Sequence, residues 1–185
     1  QPLLVSQTPL DSVLSHWAGL GYYSRARNLH KAANIIVNEY QGEIPNDLAS
    51  LIQLPGIGRS TAGAILSLGF GLHGVIQDGN VRRVLSRLFC IGGDLSKADA
   101  QKTLWKLADE LTPRSGKNAR IHAQAIMDLG SLVCRRSKPI CQLCPFSKDC
   151  KAMQRGQVSQ FPEPKRVKQR PDETWVVLQL KNERD

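Results

Sequence analysis

No apolar run in this chain of 185 residues is long enough to span a bilayer, so a transmembrane helix and a membrane partner are excluded. The opening QPLLVSQTPL lacks the basic and apolar regions of a secretory signal, which points to the cytoplasm. No internal repeat is visible, so a solenoid or propeller is not expected. The four histidines, His16, His30, His73 and His122, share no spacing and read as surface or core residues, not ligands. The chain starts at Gln1 without Met, in a lead that reads as poor in helix, and a segment upstream is expected. Acidic residues are also scarce: sixteen Asp and Glu face twenty-five Lys and Arg, a net charge of +9. The basic residues recur along the chain, which favours a polyanion as partner.

What is present reads as helix after helix. Helical patterning covers Asp11 to Trp17, Tyr22 to Tyr40, Asp47 to Leu54, Arg59 to Phe70, Gly79 to Cys90, Lys97 to Leu111 and Ala119 to Cys134. Ser96, with Asp99 three residues on, reads as an N-cap. Ile121, Ala125, Leu129 and Leu132 read as one core face of the last helix, Met127 as packing and Cys90 as a small core residue. LPGIGRSTAGAIL, residues 54–66, sits between two apolar periodic stretches and reads as helix, tight turn, helix over about 47–70. Pro55 opens the turn. Gly56 and Gly58 admit positive φ and keep side chains away from a ligand, so backbone N–H groups are free to meet a phosphate. An ordinary glycine-capped hairpin is the plainer alternative. Residues 1–133 form the expected helical body. Residues 151–174, polar, basic and rich in Pro, read as a linker, and Trp175 to Lys181 as a strand opening a further domain.

Four of the five cysteines, Cys134, Cys141, Cys144 and Cys150, form a C-x6-C-x2-C-x5-C pattern over 134–150. A disulfide framework does not suit a cytosolic chain with a core of this size, so metal ligation is favoured. Zinc and an iron–sulfur cluster both stay open. Structural zinc usually pairs two short knuckles, whereas only Cys141 and Cys144 are closely spaced, which favours a [4Fe-4S] cluster. Arg135, Arg136, Lys138, Lys148 and Lys151 surround the cysteines, as a solvated face or a phosphate-binding loop.

Taken in order, LPGIGRSTA, the Asp in IQDGNVRRVL and the cysteine cluster resemble the endonuclease III superfamily of DNA glycosylases. GLGYYSRARNLHKAA, PGIGRSTAGAILSL and MDLGSLVCRRSKPICQLCP resemble its adenine-specific, MutY-type branch, over about Pro9 to Cys150. The resemblance implies an all-α helix-hairpin-helix glycosylase fold with a C-terminal [4Fe-4S] loop. It also implies a Nudix-related second domain, of which residues 175–185 would be the truncated start. The implied reaction is hydrolysis of the bond from deoxyribose to an adenine mispaired with 8-oxoguanine or guanine in double-stranded DNA, leaving an abasic site. A monomer associated with a bacterial nucleoid is implied as well.

Such a reaction passes through an oxocarbenium-like sugar and needs a carboxylate to stabilise charge and an acid to protonate the base. Asp78 matches the family's catalytic Asp, and its place before Gly79 and Asn80 also suits a helix N-cap. Ser60 stands where the strand-cleaving branch carries a Lys; a hydroxyl forms no imine with the sugar, so a monofunctional enzyme is implied. Tyr22 matches the aromatic wedge that fills the gap left by a flipped base, while Tyr23 reads as buried core. Arg25 and Arg27 read as phosphate contacts or solvated charge. Gly56, Ile57 and Gly58 would hold a phosphate, with a monovalent cation on the turn's carbonyls, and Asn80 would shape the site. The family's general acid, a Glu, belongs to a helix upstream of the segment matching residues 1–20. Glu39, Glu43, Asp47, Asp109, Glu110 and Asp128 do not match it and read as surface charges or caps, so this span is expected to be catalytically incomplete. A lyase acting on pyrimidine lesions, a non-catalytic DNA-binding module and a zinc-stabilised adaptor are the alternatives.

Overall fold

The computed structural model describes residues 2–114 and 116–163, together with Thr174, Val176 and Val177. Its described residues form helices and connecting segments without a sheet: α1 (Pro2–Gln7), α2 (Leu10–His16), α3 (Ser24–Glu39), α4 (Leu48–Gln53), α5 (Arg59–Ala64), α6 (Gly79–Phe89), α7 (Ala98–Leu111), α8 (Gly116–Asp128) and α9 (Lys151–Gln154). α5 widens into a π-helical stretch, Ile65–Phe70, which stops at Gly71 in the left-handed region. α8 also widens into a π-helical stretch, Leu129–Val133, which stops at Cys134 with φ −81°.

Two apolar clusters hold these helices. One joins α3, α4 and α5 through Ala32, Ile36, Leu51, Leu54, Ala62 and Leu66. The other joins α6, α7 and α8 through Val81, Leu85, Leu104, Ala108 and Ala123, with Ile76 from the segment before α6. Leu51, Leu54, Leu85 and Leu104 are at most 2% exposed, and each contributes about 1.5–3 kcal/mol by leaving water. Close backbone contact joins the halves. A Cβ at Gly63 would lie 2.0 Å from the Val75 carbonyl oxygen, so glycine there lets the segment leading to Asp78 lie directly on α5.

Several elements differ from the sequence reading. Residues 2–7 are helical and pack on α3. Ser96 does not cap α7: its N–H and hydroxyl both reach Asp94 Oδ1, and Lys97 takes the cap position. On α8 the core face is Ala119, Ala123 and Leu129, while Ile121 is 53% and Leu132 65% exposed. Ala125 is exposed too. Periodicity shows that an apolar stripe exists, but here a second apolar stripe faces outward. Met127 packs against the second cluster as expected. Cys90 is half-buried and ends α6 in the left-handed region with φ 55°. Tyr23 is 41% exposed, because it stands just outside α3.

Of the linker expected over 151–174, residues 164–173 lie outside the described residues, and 151–163 are held against the body. α9 packs on α6 with Ala152 fully buried, and the Phe161 carbonyl and Glu163 carboxylate bond back to the body. Most of the strand expected at Trp175 to Lys181 lies outside the described residues; Thr174, Val176 and Val177 carry no regular structure. No described helix is long and apolar enough to cross a membrane.

Candidate functional site

The hairpin turn is built as its sequence suggests, with two changes. Asp47 caps α4 by accepting the Ser50 N–H at 2.9 Å, which holds its carboxyl below the usual range. Gly56 has φ +80° and packs under Asn28, whose Cβ would lie 2.8 Å from a Cβ placed there. Gly58, by contrast, has φ −87°, a value open to any residue. The Ile57 N–H is spent inside the turn on the Leu54 carbonyl. What the turn offers is the start of α5: Gly58 is its N-cap and no side chain caps its first N–H groups. Arg59 turns aside, its guanidinium 4.1 Å from the Trp105 ring centre.

Asp78 is placed by that close packing. Its Oδ1 accepts the Val81 N–H at 2.8 Å, so it is the N-cap of α6, and Asn80 Nδ2 lies 3.5 Å from its other oxygen. Ser60 comes within one residue of it: the hydroxyl oxygen accepts the Gln77 N–H at 2.9 Å. Gln77 itself is 1% exposed, and neither atom of its carboxamide has a partner among the described residues.

From Asp78 a polar chain runs to the cysteines. Asn80 Oδ1 accepts from Arg83 Nη2 at 2.8 Å, and Arg83 also donates to the carbonyls of Gly130 and Cys134. Burial lowers the Arg83 pKa, partly offset by the Cys134 thiol, and a guanidinium keeps its proton regardless. Gly130 makes the approach possible: a Cβ there would lie 2.6 Å from Asn80 Cβ. One turn further along α6, Arg87 is 3% exposed and donates to the carbonyls of Arg135, Arg136 and Phe161 and to Cys134 Sγ. Sequence reading missed Arg83 and Arg87. Their spacing of four on an amphipathic helix marks one face, and that was the available signal.

The four cysteines fall in one loop against α6. Burial raises the thiol pKa of Cys141 and Cys144; the neighbouring thiols push Cys141 up further, while at Cys144 a backbone hydrogen bond from Phe146 works against burial and the neighbouring thiols. No three His, Cys, Asp or Glu among the described residues converge on a single ion. Arg135, Arg136 and Lys138 are exposed at the rim, with Lys138 at φ 49° and its carbonyl accepting from Arg135. Tyr22 is far more prominent, 81% exposed at φ 51° in the loop before α3. The other carboxylates behave as surface groups. Asp109 binds His73 at 2.7 Å, which depresses its pKa; Glu110 lies 3.8 Å from Lys106, and Asp128 accepts from Gln124.

A helical hairpin with an uncapped second helix, joined to a helix-capping Asp and a cysteine loop, defines a protein of the helix-hairpin-helix class. Residues 4–110 match the model of the HhH-GPD superfamily of base excision DNA repair proteins, and the chain belongs to that family. It is 42% identical over 181 residues to an adenine DNA glycosylase of Buchnera aphidicola subsp. Baizongia pistaciae, covering 96% of this chain and 50% of that protein. It is also 42% identical over 158 residues to the human adenine DNA glycosylase, covering 85% of this chain and 29% of the human one. The chain thus spans about half the length of the bacterial relative it matches. Among solved structures, a thermostable thymine-DNA glycosylase superposes with TM-score 0.72 at 29% identity, over 83% of this chain and 70% of that one. A non-covalent endonuclease III–DNA complex superposes with TM-score 0.68 at 26% identity, over 84% and 70%.

Proposed function

We propose that these residues are the DNA-holding and charge-stabilising part of a monofunctional adenine DNA glycosylase acting on adenine opposite 8-oxoguanine or guanine. The observation that carries the reading is the placement of Asp78. Its carboxylate is fixed at the start of α6, with Ser60, not a Lys, one residue away across the Gln77 N–H. A fixed carboxylate beside a developing oxocarbenium ion lowers its energy without reorganisation, and a hydroxyl leaves the sugar to water. The uncapped start of α5 at Gly58 would take one phosphate, the exposed Arg135 and Lys138 others, and Tyr22 would enter the gap left by the flipped adenine. Asp47 is spent as a helix cap and Asp109, Glu110 and Asp128 on side-chain partners, so the acid that protonates the departing base is not assigned to any of these four.

Cys134, Cys141, Cys144 and Cys150 suit a [4Fe-4S] cluster. Four thiols share one partly buried loop, and only Cys141 and Cys144 have the short spacing of a structural-zinc knuckle. Bound there, the cluster would cross-link the loop. The residues' own part is Arg87 and Arg83, which tie that loop to α6 and Asp78.

The test is a duplex carrying adenine opposite 8-oxoguanine, scored for binding, adenine release and strand breaks before and after alkali, with Asp78→Asn alongside. Adenine release with breaks only after alkali, abolished by Asp78→Asn, supports the reading. Specific binding with adenine retained supports the DNA-holding role without the hydrolytic step. Breaks without alkali, or no preference for the mispair in binding or release, overturn it. Iron analysis decides the metal: about four iron atoms per chain support the cluster, and a colourless protein holding zinc refutes it.

A further inference from the structure

Tyr22 is an uncommon residue in its own right. A tyrosine with φ 51° and 81% of its surface exposed is disfavoured twice, by backbone sterics and by water on an aromatic ring. Something must hold it, and the surrounding contacts converge on one side chain. The Arg25 guanidinium lies 5.4 Å from the Tyr22 ring centre and 5.6 Å from the Trp17 ring centre. The Arg25 backbone N–H also donates to the Tyr22 carbonyl at 2.9 Å. Trp17 is anchored in turn, its indole N–H donating to the Gly21 carbonyl at 3.1 Å. A half-buried indole therefore fixes the loop, and a planar cation shared by both rings ties the exposed tyrosine to it.

We propose that Arg25 is a positioning residue that presents the Tyr22 ring to DNA, acting through the ring and not through a phosphate. This rests on the reading of Tyr22 as the wedge. A guanidinium engaged by two aromatic faces is already oriented, and its planarity, which lysine lacks, makes both contacts at once.

A wedge fills a gap in the stack, so its contribution is the preference of the chain for a duplex with an abasic-site analogue over the intact duplex. Both affinities are measured for the full chain, for Tyr22→Ala, Arg25→Lys, Arg25→Gln and for the double variant Arg25→Gln/Tyr22→Ala. Arg25→Lys keeps the charge, but an ammonium can face only one of the two rings, so one exposed cation–π contact is lost and the preference is expected to fall by roughly 2–5-fold. The double variant should lose no more preference than Tyr22→Ala alone. Unchanged preference in Arg25→Lys, with both duplexes weakened equally by Arg25→Gln, makes Arg25 a phosphate contact and overturns the proposal while leaving the wedge intact. Unchanged preference in Tyr22→Ala overturns the wedge and the proposal with it. Arg25 is exposed, so each variant should keep the parent's thermal midpoint.

Discussion

Replacing Arg87 with methionine tests how the cysteine loop is held. The substitution keeps an apolar stem in the core and removes every donor. Three carbonyls lose a short partner: Arg135 at 2.7 Å, Phe161 at 2.8 Å and Arg136 at 3.2 Å. Each charge-assisted bond contributes roughly 1.5–3 kcal/mol, so the gross loss is roughly 5–9 kcal/mol. The buried guanidinium costs desolvation that methionine does not, and each carbonyl left without a partner costs about 1–3 kcal/mol, so the net loss sits near the low end of that sum, about 3–5 kcal/mol. Against a total stability of about 5–15 kcal/mol, that is a large share. It should be lost locally, because the bonds tie residues 134–161 to α6 and leave the α3–α4–α5 cluster untouched. Urea unfolding should report about 3–5 kcal/mol, and hydrogen exchange should accelerate over residues 134–161 but not over α4 and α5. Arg87→Lys, a point charge with three donors, should recover only part. A loss below about 1 kcal/mol with loop exchange unchanged would mean that water serves these carbonyls equally well and that Arg87 is no brace.

Gly130→Ala forces a Cβ to within 2.6 Å of Asn80 Cβ, so despite alanine's better helix propensity it should destabilise by about 1–3 kcal/mol; equal or higher stability would mean that α8 gives way freely. His122 is half-buried and burial lowers its pKa below the ordinary 6.5. The folded state then binds fewer protons than the unfolded one, so this group makes stability rise with pH through the window just below 6.5, and the contribution is lost as pH falls. His122→Gln should flatten the unfolding free energy between about pH 5 and 7, and an unaltered slope refutes the assignment. The Gln77 carboxamide is buried with neither atom partnered among the described residues, so Gln77→Met should raise stability by about 1–3 kcal/mol in thermal unfolding. A loss there would show that the amide is satisfied in solution.

The helices of the body, the hairpin and the cysteine cluster were legible because each rests on local rules. Apolar spacing of three and four, glycine at a turn and thiols a few residues apart need no knowledge of distant neighbours. Asp78 was legible as a cap, and the fold shows its carboxylate in the cap position one residue from the Gln77 N–H that Ser60 accepts. Where reading failed, a distant partner decided. Ile121 and Leu132 have the same hydropathy as core residues, and only the side on which α6 and α7 stand tells which stripe is buried. The polar stretch 151–163 resembles a linker until Arg87 and the Gly93 N–H are found holding it.

Composition and local pattern alone determined a basic chain, a helical body over its described residues, a glycine-bearing hairpin turn and a set of closely spaced cysteines, since charge, periodicity and turn chemistry are properties of short stretches. Only the tertiary structure decided that Asp78, Asn80, Arg83 and Cys134 form one connected line. Residues 12 and 50 positions apart meet because glycine at Gly63 and at Gly130 lets Val75 and Asn80 come close, and such a meeting is a property of packed surfaces that no short stretch carries.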